Sequence, residues 1–175
     1  MNEVLKAIKE RRSIRSYKAE PVAADALEKI LEAGTYAASA MGKQSAVLIS
    51  VSDSEMVRKL ERLNAESTGR PDGKPFYGAP NVVVVLASLE DGKEIALKDG
   101  SLCMANLMLA AHTLGISSCW INRADKMFES DEGKALLKAW GIEGNYLGIG
   151  NCILGYTNET LPEPAPRKEH YIYRV

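Results

Sequence analysis

The stretch Val82-Val83-Val84-Val85-Leu86-Ala87 decides the fold. No polar residue interrupts it, and it opens on four β-branched side chains in a row. A strand with one wet face alternates apolar and polar residues. This one does not, so it reads as a strand buried on both faces.

Working outward, residues 99–114 form the most apolar helix candidate. Leu102, Met104, Ala105, Leu107, Met108, Leu109, Ala110 and Ala111 leave little polar face. Such a helix is expected to be central and covered on nearly all sides, with Gly115 closing it. Residues 116–121 read as a strand, 131–140 as a helix ended by Gly141, and 146–154 as a glycine-bearing strand. Upstream, residues 46–51 read as a strand. Asp53 or Ser54 then caps a helix whose apolar face is Met56, Val57, Leu60 and Leu63. The polar stretch 66–74 is the expected mobile loop. Toward the N-terminus, residues 23–36 place Leu27, Ile30, Leu31 and Gly34 at helical spacing behind Pro21. Residues 2–11 put Val4, Leu5 and Ile8 on one face, with Asn2 as the N-cap. The tail carries Pro162, Pro164 and Pro166, which favour extended backbone. It then alternates like a strand over residues 170–175. An arm crossing to a partner subunit and an arm folding back on its own chain both fit that pattern.

The chain has 175 residues. This is the length of one domain, 1–175, and it buries a core without staples. At 46% hydrophobic and 26% charged residues, disorder is excluded. The balance of 22 Lys+Arg and 23 Asp+Glu, net −1, excludes a globally basic nucleic-acid binder. Cys103, Cys119 and Cys152 are scattered and form no CxxC, which reads as reduced thiols in a cytoplasmic protein. No apolar run approaches the ~18 residues of a membrane span, and the N-terminus opens on a charged stretch. A soluble, cytoplasmic protein with no membrane partner is expected.

Charge is clustered in Arg11-Arg12-Ser13-Ile14-Arg15-Ser16-Tyr17-Lys18. Guanidinium forks and a serine hydroxyl suit phosphate oxygens. A solvated basic turn is the competing reading. The small-residue loop Ser39-Ala40-Met41-Gly42-Lys43-Gln44 lets backbone approach a ligand closely. A plain helix-to-strand connection is its alternative. Pro166-Arg167-Lys168 is a further cation pair, or a solvated tail.

Other signals fail. His112 has no second histidine at ligand spacing, so no metal site is expected. Gly148-Ile149-Gly150 does not complete a GxGxxG, because Ile153 holds the third glycine's place. No Walker sequence or nucleophile elbow is present. An enzyme built this way takes its chemistry from a bound cofactor.

In this order and spacing the segments resemble the FMN-dependent nitroreductase family over nearly the whole chain. Arg11-Arg12-Ser13-Ile14-Arg15 resembles its RRSxR signature, and residues 38–44 resemble its PSSxxxQPW flavin loop. Tyr77-Gly78-Ala79-Pro80 before the valine run, Asp99-Gly100-Ser101 with Gly115-Ile116-Ser117-Ser118-Cys119-Trp120, and Ile153-Leu154-Gly155-Tyr156 with Pro166-Arg167-Lys168 resemble three further family blocks. The flavin loop departs from the pattern. It has Met41-Gly42-Lys43 and Ser45-Ala46 where the family has Asn in the loop and Pro-Trp after the Gln.

The resemblance implies an α+β fold. It is a three-layer sandwich with a mixed, mostly antiparallel sheet flanked by helices, assembled as an intertwined homodimer. Residues 160–175 would form an arm crossing to the partner. FMN would lie between subunits, with NAD(P)H as reductant and a nitroaromatic, quinone or other conjugated small molecule as electron acceptor. By the same resemblance Arg11, Ser13 and Arg167 would hold the FMN phosphate, joined by Lys168, and Arg12 would serve by its backbone or at the ribityl chain. Arg15 would sit at the pyrimidine edge and stabilise anionic reduced flavin. Ser39, Ala40 and Gln44 would come from the other subunit. The backbone at Ile121 and Asn122 would approach the flavin ring near N5. The loop 68–77 would form the outer wall of the pocket. Two other readings stay open: a specialised flavin enzyme (reductive dehalogenase or flavin-fragmenting), and a non-enzymatic binder of an anionic ligand or nucleic acid.

Overall fold

The computed structural model describes residues 2–175. Along the chain the elements are α1 (Glu3–Glu10), α2 (Ala24–Thr35), β1 (Ala46–Val51), α3 (Ser54–Ser67), β2 (Asn81–Ser88), α4 (Lys93–Thr113), β3 (Ser117–Ile121), α5 (Ala124–Glu129), α6 (Asp131–Ala139) and β4 (Tyr146–Gly155). The strands form a sheet in the order β1-β2-β4-β3, each neighbour antiparallel. One parallel bridge, Ser13 to Ser118, brings the N-terminal basic segment to the β3 edge. The four strands are thus antiparallel throughout, within the expected α+β architecture, and this bridge is the one parallel pairing among the described residues.

The valine run divides its side chains between two cores. Val83, Val85 and Ala87 pack with Leu27 and Ile30 of α2 and Met104, Leu107 and Ala111 of α4. Val82, Val84 and Leu86 face the other way, toward Leu60 and Leu63 of α3, Met127 of α5 and Leu136 of α6. Side chains alternate across a strand, so a run apolar at every position must be covered on both sides. The result is three layers, helix on sheet on helix. Local signals set the ends of several elements. Asn2 caps α1 through Val4 N–H at 2.9 Å, and Asp53 caps α3 through Met56 N–H at 2.8 Å. Gly115 and Gly141 take φ of +73° and +70° just past α4 and α6.

Strand β4 contains a bulge. Val85 pairs with Gly150 but Leu86 pairs with Gly148, leaving Ile149 as the extra residue. Core-facing parity switches there: Leu147 and Ile149 share a core with Cys152 and Leu154. The two glycines are required by close neighbours. A Cβ on Gly148 would lie 2.3 Å from the Ala124 carbonyl, and one on Gly150 would lie 2.4 Å from the Trp120 indole nitrogen.

Several elements differ from expectation. Helix α4 begins at Lys93, not at residue 99. Its first turns are held by exposed Lys98–Glu94 pairing at 2.6 Å, a polar opening that hides the helix from an apolar reading. Nor is α4 covered all round: Leu97 is 49% and Leu102 48% exposed. The apolar face of α1 is likewise uncovered, with Val4, Leu5 and Ile8 all exposed. Helix α3 runs on through Ser67, so the polar stretch starts later than residue 66. Phe76, 1% exposed, anchors its far end, and its N–H donates to Glu61 Oε1 at 2.8 Å. Short α5 is missed by pattern because six residues give fewer than two turns. Residues 170–175 are not a strand. A strand needs an edge to pair with. Within this chain Tyr171, Ile172 and Tyr173 stand exposed without one.

Candidate functional site

The basic segment leaves α1 and crosses the β3 edge, where Ile14 N–H donates to the Ser118 carbonyl at 3.1 Å. Ile14 is buried and pins the segment down. Tyr17 follows, with its hydroxyl donating to the Ile14 carbonyl at 2.7 Å. Burial pushes the Tyr17 phenol far above its ordinary value, so it stays protonated.

This path aims Arg11 into a pocket of about 190 Å³ lined also by Arg12, His112, Ser118, Thr157 and Glu159. Arg11 Nη1 and Ser118 Oγ are both buried there without a hydrogen-bond partner among the described residues. Native proteins rarely leave buried polar atoms unpaired, and a charged group left so costs most. His112 sits beside them, and burial together with Arg11 and Arg12 holds its imidazole below the ordinary value against the pull of Glu10. Arg12 is spent differently. Its guanidinium donates to the carbonyls of Lys9 and Arg11, both at 2.7 Å, and to Pro162 at 2.9 Å. It ties the tail to the end of α1. Ser13 and Arg15 are exposed.

A second pocket, of about 140 Å³, lies along the first half of α4 and is lined by Ala38, Ser39, Gln44, Asp99 and Cys103, among others. Asp99 is buried, and both carboxylate oxygens are used. Oδ1 accepts from Ala40 N–H at 3.0 Å and Oδ2 from the Ser45 hydroxyl at 2.7 Å. Ser39 Oγ accepts from Gln44 N–H at 2.9 Å. The loop so clamped includes a short 3-10 turn (Ala40–Gly42), with Met41, Gly42 and Gln44 at positive φ. Lys43 pairs with Asp91, which ties the loop to the turn ahead of α4. The sequence reading quoted Asp99 only within a family block and as the first residue of the apolar helix, and gave it no role at the site.

Ile121 ends β3 and Asn122 follows it. The Asn122 carbonyl accepts from Asn64 Nδ2 at 2.7 Å, and Asn64 is 1% exposed. Asn64 and Asn151 both donate to Met127 Sδ, at 3.2 and 3.3 Å. Buried amides thus fix the backbone just past β3. Asn64 is a further residue that sequence reasoning missed, because a lone polar residue on a helix face gives no pattern.

The structure does not bring Arg167 and Lys168 to Arg11. Arg167 donates to the Ala165 carbonyl, 3.2 Å from its Nε, and Lys168 lies over the Tyr171 ring at 5.3 Å. Both are on the exposed tail, which is bound to the body at Pro162 but exposed beyond it. Nor do the two pockets meet within one chain. Asp99 and His112 are 13 residues apart on α4 (112 − 99). That is about 20 Å of helix.

Comparison with known proteins places this arrangement. The sequence profile of the nitroreductase family matches residues 8–156. A protein of Archaeoglobus fulgidus, provisionally named NADH dehydrogenase/NAD(P)H nitroreductase, is 33% identical over 165 residues, covering 91% of this chain and 88% of its own length. A nitroreductase of Bacteroides fragilis solved with bound FMN superposes with a TM-score of 0.89 at 32% identity, covering 100% of both chains. A second, from Desulfitobacterium hafniense and also with bound FMN, gives a TM-score of 0.88 at 30% identity, again over 100% of both chains.

Proposed function

The chain belongs to the nitroreductase family, and we propose from this that it is an FMN-dependent NAD(P)H oxidoreductase working as a homodimer. The chemistry supplied by bound FMN is hydride transfer from NAD(P)H through flavin N5 to a nitroaromatic, quinone or related conjugated acceptor, in ping-pong order. One observation carries the assignment: the buried, unpartnered Arg11 Nη1 facing the same pocket as the unpartnered Ser118 hydroxyl. A guanidinium and a hydroxyl with donors to spare fit the oxygens of the FMN phosphate.

The other roles are assigned to this chain's residues. Arg11, with Ser13 at the same β3 edge, binds the phosphate. Arg12 holds backbone carbonyls and so shapes the phosphate pocket without touching the anion. Arg15 supplies a fixed cation at the pyrimidine edge, where it offsets negative charge on the reduced ring. Ser39, Ala40 and Gln44, in the loop that Asp99 clamps through Ala40 and Ser45, line the ring and ribityl site of the partner. Ile121 and Asn122 present backbone to the ring, braced by Asn64. Arg167 and Lys168 reach the phosphate only if the tail repacks on assembly, against the partner's sheet edge. No side chain acts as nucleophile.

Two observations support the homodimer. The phosphate pocket lies at the C-terminal end of α4 and the loop pocket along its first half, so one chain does not join them and a second copy brings one to the other. The exposed apolar residues of α1 and α4 supply the surface to be buried. Purified protein is expected to be yellow, or to turn yellow with added FMN, and to bleach with NAD(P)H under anaerobic conditions. A colourless protein that fails to take up FMN contradicts the proposal.

A further inference from the structure

A third pocket, of about 460 Å³, opens between the 68–77 loop and the start of α5. Its lining includes Thr68, Arg70, Lys74, Tyr77 and Arg123, and no acidic residue. On a chain of net charge −1, three cations around one pocket are a local excess. None of the three side chains makes an ion pair or hydrogen bond among the described residues. Lys29, Lys43, Lys59, Arg62, Lys98 and Lys126 are paired with carboxylates, and other surface cations such as Arg58 and Lys134 are not; what marks this pocket is that three unpaired cations line it together. The volume falls within the range of ligand pockets, about 300–1,000 Å³.

The position adds to the charge. Arg123 directly follows Asn122, so its Cα lies about 3.8 Å from that of the residue assigned to the flavin ring. Arg123 stands at φ +80° and Tyr77 at φ +52°, conformations uncommon for residues with a Cβ. Such strain persists where surrounding structure enforces it, and it gathers at functional sites. Here it sets the Arg123 side chain at the pocket that the anchored loop encloses.

We propose that this pocket receives the phosphate groups of the nicotinamide dinucleotide while its nicotinamide ring reaches the neighbouring flavin site. This rests on the flavin assignment above. The local charge favours a polyanion: a dinucleotide pyrophosphate brings two negative charges and a 2′-phosphate up to two more, whereas one carboxylate on an electron acceptor leaves two of the three cations unneutralised. Arg70 and Arg123 offer forked donors to the phosphates, Lys74 a compact charge and Thr68 a hydroxyl.

The test compares the FMN-loaded wild type with a triple variant, Arg70→Ala, Lys74→Gln and Arg123→Gln. NADP⁺ is titrated calorimetrically, and KM is measured for NADPH and for N-benzyl-1,4-dihydronicotinamide, an uncharged hydride donor. The Kd for NADP⁺ and the KM for NADPH are expected to rise about tenfold, the scale of three exposed charge contacts, with the uncharged donor unaffected. An unchanged Kd, or an equal loss with both donors, overturns the proposal. So does a higher KM for 4-nitrobenzoate over nitrobenzene with NADP⁺ binding intact, which would assign the cations to the acceptor. Failure of the wild type to take up FMN contradicts the flavin assignment alone, because NADP⁺ binding to the same protein still reads the cations.

Discussion

Arg11 and Arg12 are adjacent in sequence and opposite in use. Arg12 turns its Nε and Nη1 donors to three backbone carbonyls, while Arg11 keeps a buried Nη1 unpaired. The sequence shows a run of cations before a small-residue loop and suggests an anion. It cannot divide the work between them, because the division depends on where the Lys9 and Pro162 carbonyls lie in three dimensions. His112 makes a related point. It is no metal ligand by spacing, yet it lines the anion pocket. Its imidazole is held below the ordinary value, first by burial. A group depressed in the folded state binds more protons when unfolded. Stability is therefore full above its unfolded value, about 6.5, and falls as pH drops through the folded value. His112→Gln is expected to flatten the acid side of a plot of Tm against pH. An identical acid limb in the two proteins contradicts this reading of His112.

Strand β2 and the caps at Asn2 and Asp53 are legible because each follows from local chemistry, a full apolar run or a side chain bonding its own backbone. The glycines of β4 are not. Gly148-Ile149-Gly150 resembles half of a nucleotide motif, but its glycines answer to packing, with the Ala124 carbonyl on one and the Trp120 indole on the other. That requirement comes from Ala124 of α5 and Trp120 of β3, which lie well upstream of both glycines in the chain. Gly148→Ala should therefore force α5 off the sheet and cost about 1–3 kcal/mol, the usual range for overpacking. At this chain length that is a fall in Tm of roughly 2–4 °C per kcal/mol. A thermal melt superimposable on the wild type would show that α5 yields easily. Helix α4 was legible in its apolar half only, because its first turns carry Lys93, Glu94 and Lys98.

As a whole molecule, the chain exposes what an isolated domain would bury. The apolar face of α1 is uncovered, as are Leu97 and Leu102 of α4, and the tail carries Tyr171, Ile172 and Tyr173 into solvent. The sequence pattern foresaw apolar faces and an arm, but it could not say that the faces point away from their own core. These features and the two separated pockets fit one chain as half of the working unit. Leu102→Glu, placed on the open face of α4, should shift the protein toward monomer in sedimentation and lower FMN retention with it. A stable dimer carrying this change would move the interface elsewhere. The account turns on one anion held at the end of α1. The most direct measurement is the affinity for FMN and for riboflavin, which lacks the phosphate, in the wild type and in Arg11→Ala. Losing a hydrogen bond to a charged group costs about 1.5–3 kcal/mol, so FMN affinity should fall roughly 10- to 150-fold while riboflavin affinity holds. Equal FMN affinity in both proteins would contradict the account.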